Sequence, residues 1–425
     1  MIVIYTPKVT NRIKYTLDFV FQQYFGIDYE LTENADFTIL SENCNINYSN
    51  KKIDSWFSVF QVDLLLQEDI RMQKLFVSLE YELPVFFQTT DHYNLKFDIF
   101  SSIFFLLSRY EEYLPHEKDV HERYKSSNSI LANPAFNFSP IVEFWLDLFK
   151  KELLKIHPNL SFKKYEFEYL PTFDIDNAFQ FLGRNWLKNP PNIFQKTCRK
   201  VLFKKEKDPY NNFDFILEEL EKNKLRSIFF FLLNDDEKEN SNVSPDSDLL
   251  QKVISEIEDS KIEIGIHSSY FATEKNLISV EKKFLENLTT SAITVSRQHF
   301  LKISFPNYFR ELIKAEIKID HSLCYPDVVG FRAGCSRPFF FYDLETNKRT
   351  QLLLQPSCFM DATFEYYRKI KFNEMQAEFL TLFNQLKQIN GILVPIFHND
   401  LFAKNTFRSI FTIINKQVKE AEYEK

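Results

Sequence analysis

The chain has 425 residues, of which 44% are hydrophobic and 26% charged, a globular profile whose length suggests two or three domains. Its 52 basic and 59 acidic residues leave a net charge of −7 at pH 7, and no basic block stands out, so nucleic-acid binding has no electrostatic support. The five cysteines (Cys44, Cys198, Cys324, Cys335 and Cys358) show no paired spacing. They form neither a disulfide framework nor a CxxC site, and a reduced, cytoplasmic setting is expected.

The start, "MIVIYTPKVTNRIKYTLDF", carries an apolar patch of a few residues, too short for a secretory leader. "MIVIYT" and "FTILSE" read as strands, with helices expected around 97–113 and 140–155. The most apolar segment, "FDIFSSIFFLLSRYEEY", runs roughly 11 residues before charges return, below the ~20 needed to cross a bilayer. It reads as a buried helix, and no transmembrane segment is expected. Between the two helices, "HEKDVHERYKSSNSILANPAFNFSP" is polar and punctuated by Ser, Asn and Pro, a loop in which His116 and His121 read as solvated.

After residue 165 short β-branched or aromatic runs alternate with amphipathic stretches. The runs are "YEFEYLPTFDID", "RSIFFFLLN", "KIEIGIHS", "AITVSRQHF", "AEIKIDHS", "VVGFRAG", "QLLLQPS" and "GILVPIFHN". Between them lie helical patterns such as "FDFILEELEKNK", "DLLQKVISEIEDS", "NLISVEKKFLENL" and "NEMQAEFLTLFNQLKQ". This alternation implies parallel pairing and an α/β architecture. Repeated seven or eight times over about 260 residues, it predicts a barrel rather than an open sheet. The division expected is an accessory domain of unknown role over 1–165 and the barrel over 166–425.

Nearly every predicted strand ends in a polar, chemically competent residue: Asp174 and Asp176, Asn234, His267, Arg297 and His299, Asp320 and His321, Arg332, His398. In a parallel barrel those ends converge on the rim that carries active sites. Of eight histidines in the chain, four fall at these ends, which makes the constellation the strongest signal present. Asp174 and Asp176 are two apart, on one side of a strand, and two adjacent carboxylates need a cation, a buried arginine or solvent. Taken singly each residue has a bland reading. "DIDN" suits a helix start, His267 a structural hydrogen bond, Arg332 a surface ion pair and His398 a loop position.

The order "TFDID", "GIHSSY", "SRQHF", "GFRAG", "PIFHND" resembles the successive motifs of NodB-type polysaccharide deacetylases, over roughly residues 166–425. The resemblance implies a distorted (β/α)7 barrel with a smaller N-terminal α/β domain. It also implies removal of N-acetyl groups from sugars or glycans with a divalent metal, most often Zn2+. On this resemblance Asp174 is the catalytic base, Asp176 a metal ligand and His398 the general acid. Arg332 would support the base aspartate, with Arg297 sharing that work. The first part of the chain, with "DIFSSIFFLLSRYEEYLP" and "DVHERY", resembles the partner domain fused to such deacetylases in Bacteroidetes-like proteins.

Two departures stand out. The family's second motif places a histidine pair at i, i+4, whereas here His267 is followed at that position by Phe271. Ile175 also separates the two aspartates. A three-ligand site therefore needs another donor, and His299, ending the strand after "GIHSS", completes an Asp176, His267, His299 set; His321 is the competitor. The expected chemistry is hydrolysis of an acetamide in cell-surface glycan metabolism. The alternatives are hydrolysis of another small C–N bond on the same barrel, as in allantoinase-like relatives, and a non-catalytic glycan-binding relative.

Overall fold

Ile2–Tyr5 forms β1, at the centre of a small sheet whose other strands are β2 (Tyr29–Thr32), β3 (Cys44–Tyr48) and β4 (Phe57–Val59). Their order is β2-β1-β3-β4 and every pair is parallel. The computed structural model describes residues 2–35, 44–51, 53, 56–89, 92–183, 195–234 and 243–423, so the predicted strand "FTILSE" lies outside the described residues. Helix α1 (Asn11–Leu17) starts at Thr10, whose hydroxyl accepts from the Ile13 amide. A hairpin follows, β5 (Ser78–Glu80) with β6 (Leu83–Val85), turning through Tyr81 and Glu82 at φ 55° and 63°. Two successive left-handed residues match the twist of the paired strands.

Helix α2 (Ile99–Leu107) is the apolar run, and all nine of its residues are buried. Asp98 caps it, accepting from the Ser101 amide at 2.9 Å, from Val62 N at 2.9 Å and from Tyr48 Oη at 3.0 Å. A helix apolar on every side belongs in a core, and this one is too short to cross a bilayer. Among the described residues no helix is long and apolar enough to cross a membrane. Helix α3 (Ile141–Ile156) then returns along the core, and its buried Glu143 accepts from the amide and hydroxyl of Ser336, both at 2.7 Å. One contiguous cluster of buried hydrophobic residues runs through both parts of the chain.

The second part is built on a nine-stranded sheet. After β7 (Glu168–Tyr169) come β8 (Thr172–Ile175), β9 (Ile228–Phe231), β10 (Glu263–Ser268), β11 (Val295–Gln298) and β12 (Ile319–Asp320). The later strands are β13 (Phe339–Asp343), β14 (Lys348–Leu354), β15 (Phe359–Met360), β16 (Ile392–Leu393) and β17 (Pro395–His398). The sheet order is β13-β14-β12-β11-β10-β9-β8-β17-β15, while among the described residues β7 pairs only with β16. All pairs in the large sheet are parallel except the β13–β14 hairpin. Helices α4 (Lys196–Leu202), α5 (Phe213–Asn223), α6 (Asp248–Asp259), α7 (Ile278–Glu286), α8 (Asn307–Lys314), α9 (Phe372–Gln388) and α10 (Asn405–Tyr423) lie between and after the strands.

Three expectations need correcting. "VVGFRAG" is a turn, because Gly330 (φ 120°) and Gly334 (φ 59°) take left-handed conformations that a strand does not use. "GILVPIFHN" is two short strands separated at Val394, and the antiparallel β13 was not foreseen. The closed barrel is not seen as a ladder: among the described residues no pairing joins β14 to β15. The sheet instead curls, because β14 runs directly into β15 through residues 355–358. Gln355 N bonds Asp320 O at 2.8 Å on one side and Cys358 N bonds Val394 O at 3.2 Å on the other. That curl lets a side chain on β11 reach β8, two strands beyond its neighbour β10.

Candidate active site

Strand β8 alternates as a strand should. Phe173 and Ile175 are fully buried, and the Phe173 ring stacks on Phe229 with centroids 4.6 Å apart. Thr172 and Asp174 face the other side, where the Arg297 guanidinium gathers them. Arg297 Nη1 donates to Asp174 Oδ1 at 2.7 Å and to Thr172 Oγ1 at 2.8 Å, and Nη2 donates to Ser357 Oγ at 3.2 Å. Beneath it, Phe230 lies 4.5 Å from the guanidinium. Gly265 makes room for that ring, since a Cβ there would stand 2.6 Å from it. The buried cation thus holds one aspartate in place from below.

Above this layer the strand ends bring three ligand-type atoms together. Asp176 Oδ1 stands 3.0 Å from His267 Nε2 and 3.3 Å from His299 Nδ1, and the two imidazole nitrogens are 3.1 Å apart. Tetrahedral zinc, with bonds of roughly 2.0–2.2 Å, needs donor atoms about 3.3 Å apart, so the triangle is close to the required size. Two further observations fit a cation. Asp176 Oδ1 is buried without a well-aligned hydrogen bond. His267 Nδ1 lies 2.9 Å from the Arg297 carbonyl oxygen, so Nδ1 carries the proton and Nε2 presents its lone pair to the cluster. Burial opposes charge on Asp176, but the charges of His299 and His398 hold its carboxyl well below the usual range.

His398, at the end of β17, is register-paired with Asp174 on β8. Its Nδ1 lies 2.6 Å from Asp361 Oδ1 and its amide donates to Asp361 Oδ2 at 2.8 Å, which turns Nε2 toward Asp176 Oδ2, 3.8 Å away. Burial disfavours charge on His398, but Asp361 and the two site aspartates raise its pKa well above the ordinary value. These groups line a cavity of about 250 Å³, walled by Phe300, Met360, Tyr366 and Tyr367, with Asp400 at its edge. Burial pushes the Asp400 carboxyl up to about 6.

The structure therefore brings Asp174, Asp176, His267, Arg297, His299 and His398 into one place. It does not bring Arg332 there. The Arg332 guanidinium pairs with Glu112, Nε to Oε1 at 2.8 Å and Nη2 to Oε2 at 2.5 Å, because the "GFRAG" turn points it at the helical turn Tyr110–Tyr113 after α2 rather than at β8. Support of Asp174 falls to Arg297 instead. His321 lies below Arg297, its ring 5.4 Å from Phe230, and lines a separate cavity at the opposite end of the strands. Burial and Arg297 lower its pKa well below the ordinary value. Asp320 is bonded by Ser296, Tyr308 and Ser322, and Asn234 sits near Ser269 and Glu281, outside the cavity. Phe271 packs on Tyr270 and beside Lys302. His121 is not merely solvated: its Nδ1 lies 2.9 Å from Tyr270 Oη.

Asp361 and Asp400 were not singled out in the sequence. Asp361 follows a two-residue strand whose pattern is too short to read, and only its apposition to His398 marks it.

A family model of unknown function, DUF7033, matches residues 2–158. No curated protein matches the chain. Solved structures with some likeness include a protein described as a polysaccharide deacetylase from Mycobacterium smegmatis, at 13% identity and a TM-score of 0.39, covering 61% of this chain and 92% of that one. Another, described as a polysaccharide deacetylase from Pseudomonas aeruginosa PAO1, is 12% identical with a TM-score of 0.42, covering 59% and 85%. An allantoinase is 14% identical with a TM-score of 0.41, covering 59% and 84%. Likeness at this level bears on neither activity nor substrate.

Proposed function

We propose that the protein is a divalent-metal-dependent hydrolase that removes an acetyl or similar acyl group from the nitrogen of a sugar or glycan. In this reading residues 166–425 form a deacetylase-type barrel and residues 1–165 its accessory domain. The observation that carries it is the Asp176, His267, His299 triangle flanked by Asp174 on one side and His398 on the other. The site's motif order resembles that of the polysaccharide deacetylases, which supports an acylated amino sugar as the substrate class. One carboxylate and two imidazoles are a donor set that Zn2+ accepts in catalytic sites, with a further position left for water.

The three side chains would hold the ion, which when bound supplies Lewis acidity toward the acyl oxygen and eases deprotonation of water. The remaining roles belong to the protein. Asp174 has Oδ1 occupied by Arg297, which leaves Oδ2, 3.8 Å from His267 Nε2, to accept the proton of the attacking water. The water oxygen adds to the acyl carbon and the C–N bond then breaks. An amine leaves a tetrahedral carbon poorly unless protonated, and His398 Nε2, turned into the cavity by Asp361, delivers that proton. Free acid and free amine are the products. Both carboxylates and His398 are more than a binding module needs, which favours catalysis over a purely glycan-binding role.

The test is acetate release from N-acetylated sugars by the purified protein, before and after treatment with a chelator and after return of Zn2+. Release that stops on chelation and resumes with the ion is expected. Full activity in the chelated protein contradicts the proposal, as does hydrolysis confined to ureide-type C–N bonds.

A further inference from the structure

The loop around Asp119–Tyr124 belongs to the part of the chain matched by the family of unknown function, yet it reaches the cavity wall. Asp119 organises it, accepting from the amides of His121 at 2.8 Å and Arg123 at 3.0 Å and from Arg123 Nε at 2.7 Å. Arg123 is buried. Its Nη1 donates to the Phe300 carbonyl at 2.6 Å and to Tyr367 Oη at 3.1 Å, and its guanidinium lies 5.5 Å from the Tyr367 ring centre. Phe300 lies in the helical turn after β11 and Tyr367 in the short helix Thr363–Arg368, and both wall the cavity. The same loop places His121 against Phe300, ring centres 4.8 Å apart.

Phe300 directly follows His299. It is left-handed at φ 59°, ψ 8°, and Leu301 is left-handed at φ 52°. Two such non-glycine residues in a row are unfavourable and persist only where surroundings hold them. The Arg123 bond to the Phe300 carbonyl is such a hold. The cavity, at about 250 Å³, falls below the roughly 300–1,000 Å³ typical of sites for drug-sized ligands. It has room for one sugar unit, and Arg123 braces two of its walls, Phe300 and Tyr367, from behind.

We propose that Arg123 is a positioning residue through which the N-terminal part sets the His299 turn and braces the cavity walls formed by Phe300 and Tyr367. The substrate is then a free acylamino sugar or the terminal unit of a chain, not an internal unit of a long glycan. This rests on the function proposed above. The full-length protein, Arg123→Ala, Arg123→Lys and Tyr367→Phe would be compared. Zinc affinity is read by competition with a chromophoric chelator, and kcat and KM with N-acetylglucosamine and with its β-1,4 tetramer. Arg123→Ala should bind zinc about tenfold or more weakly and raise KM for the monosaccharide. Arg123→Lys, which lacks the planar fork, should not recover zinc affinity fully. Tyr367→Phe, which removes one hydroxyl, should raise KM several-fold with zinc affinity kept, and so tests the bracing of the cavity wall even if Arg123→Ala does not fold. Wild-type zinc affinity in a folded Arg123→Ala protein, or unchanged KM in Tyr367→Phe, overturns the proposal. Equal attack on internal units of the tetramer by wild type overturns the substrate claim while leaving the hydrolase reading intact. Zinc binding that depends on Arg123 without any acetate release contradicts the hydrolase reading alone.

Discussion

Asp174→Asn should keep the fold and the metal but lower turnover by roughly 10²–10⁴-fold. The substitution preserves shape, and an amide oxygen can still accept from Arg297 Nη1, now 2.7 Å from Oδ1. What disappears is the basic oxygen at Oδ2. Asp176→Asn should behave differently, because Asp176 Oδ1 stands within the imidazole pair and its loss removes a ligand. Its variant should lose metal before it loses anything else. The distinguishing measurement is metal content beside kcat in both proteins. Equal metal loss in the two variants would mean that both carboxylates are ligands and that the base lies elsewhere.

Glu112→Ala should destabilise the fold by about 3–5 kcal/mol, the range for removing one partner of a buried charge network. Glu112 accepts from Arg109 Nε at 2.9 Å and from Arg332 on two nitrogens, at 2.8 and 2.5 Å, and all three residues are buried. Truncation strands two guanidinium groups, although Arg109 keeps Glu111 at 3.5 Å. The network joins residues 220 apart in sequence, so its loss should lower the unfolding midpoint of the whole cooperative transition. Burial opposes charge on Glu112, yet Arg332 and Arg109 hold its carboxyl below the usual range. A depressed folded-state pKa contributes stability that is present above the unfolded carboxylate value, about 4.3, and is lost as pH falls through the folded value. The gap between wild type and Glu112→Ala in urea unfolding should therefore be widest near neutral pH and narrow on acidification. A gap below about 1 kcal/mol at pH 7 would place the pair among solvent-screened ion pairs.

Much of the site was legible because its residues sit where strand periodicity ends. Asp174 lies on β8 and Asp176 just past its end, His267 is the second-last residue of β10 and His299 follows β11, and neighbouring parallel strands bring such ends together. Arg332 misled because the alternation in "VVGFRAG" looks like a strand. The two glycines decide otherwise: a Cβ at Gly330 would stand 2.5 Å from the Phe138 carbonyl oxygen, so the chain turns there against the first part of the molecule. Asp361 was invisible for the opposite reason, since its meaning comes from His398, 37 residues away, and not from a pattern. His121 and Arg123 looked like members of a charged loop, and nothing local announces that the loop folds over a cavity wall. The α/β alternation was readable from residue 165 onward, whereas closure was not. Whether a curved sheet pairs its edges depends on the few residues at 355–358 and on long-range contacts, not on periodicity.

The most direct measurement is the metal content per chain of wild type, His299→Ala and His321→Ala, each purified with Zn2+ present and dialysed before elemental analysis. The two histidines are both buried strand-end residues of the same sheet, and they differ in that His299 stands 3.3 Å from Asp176 while His321 faces Phe230. One ion per chain in wild type and in His321→Ala, with little or none in His299→Ala, is the predicted result. Metal lost from His321→Ala and kept in His299→Ala would contradict the account, as would a wild-type protein that retains none.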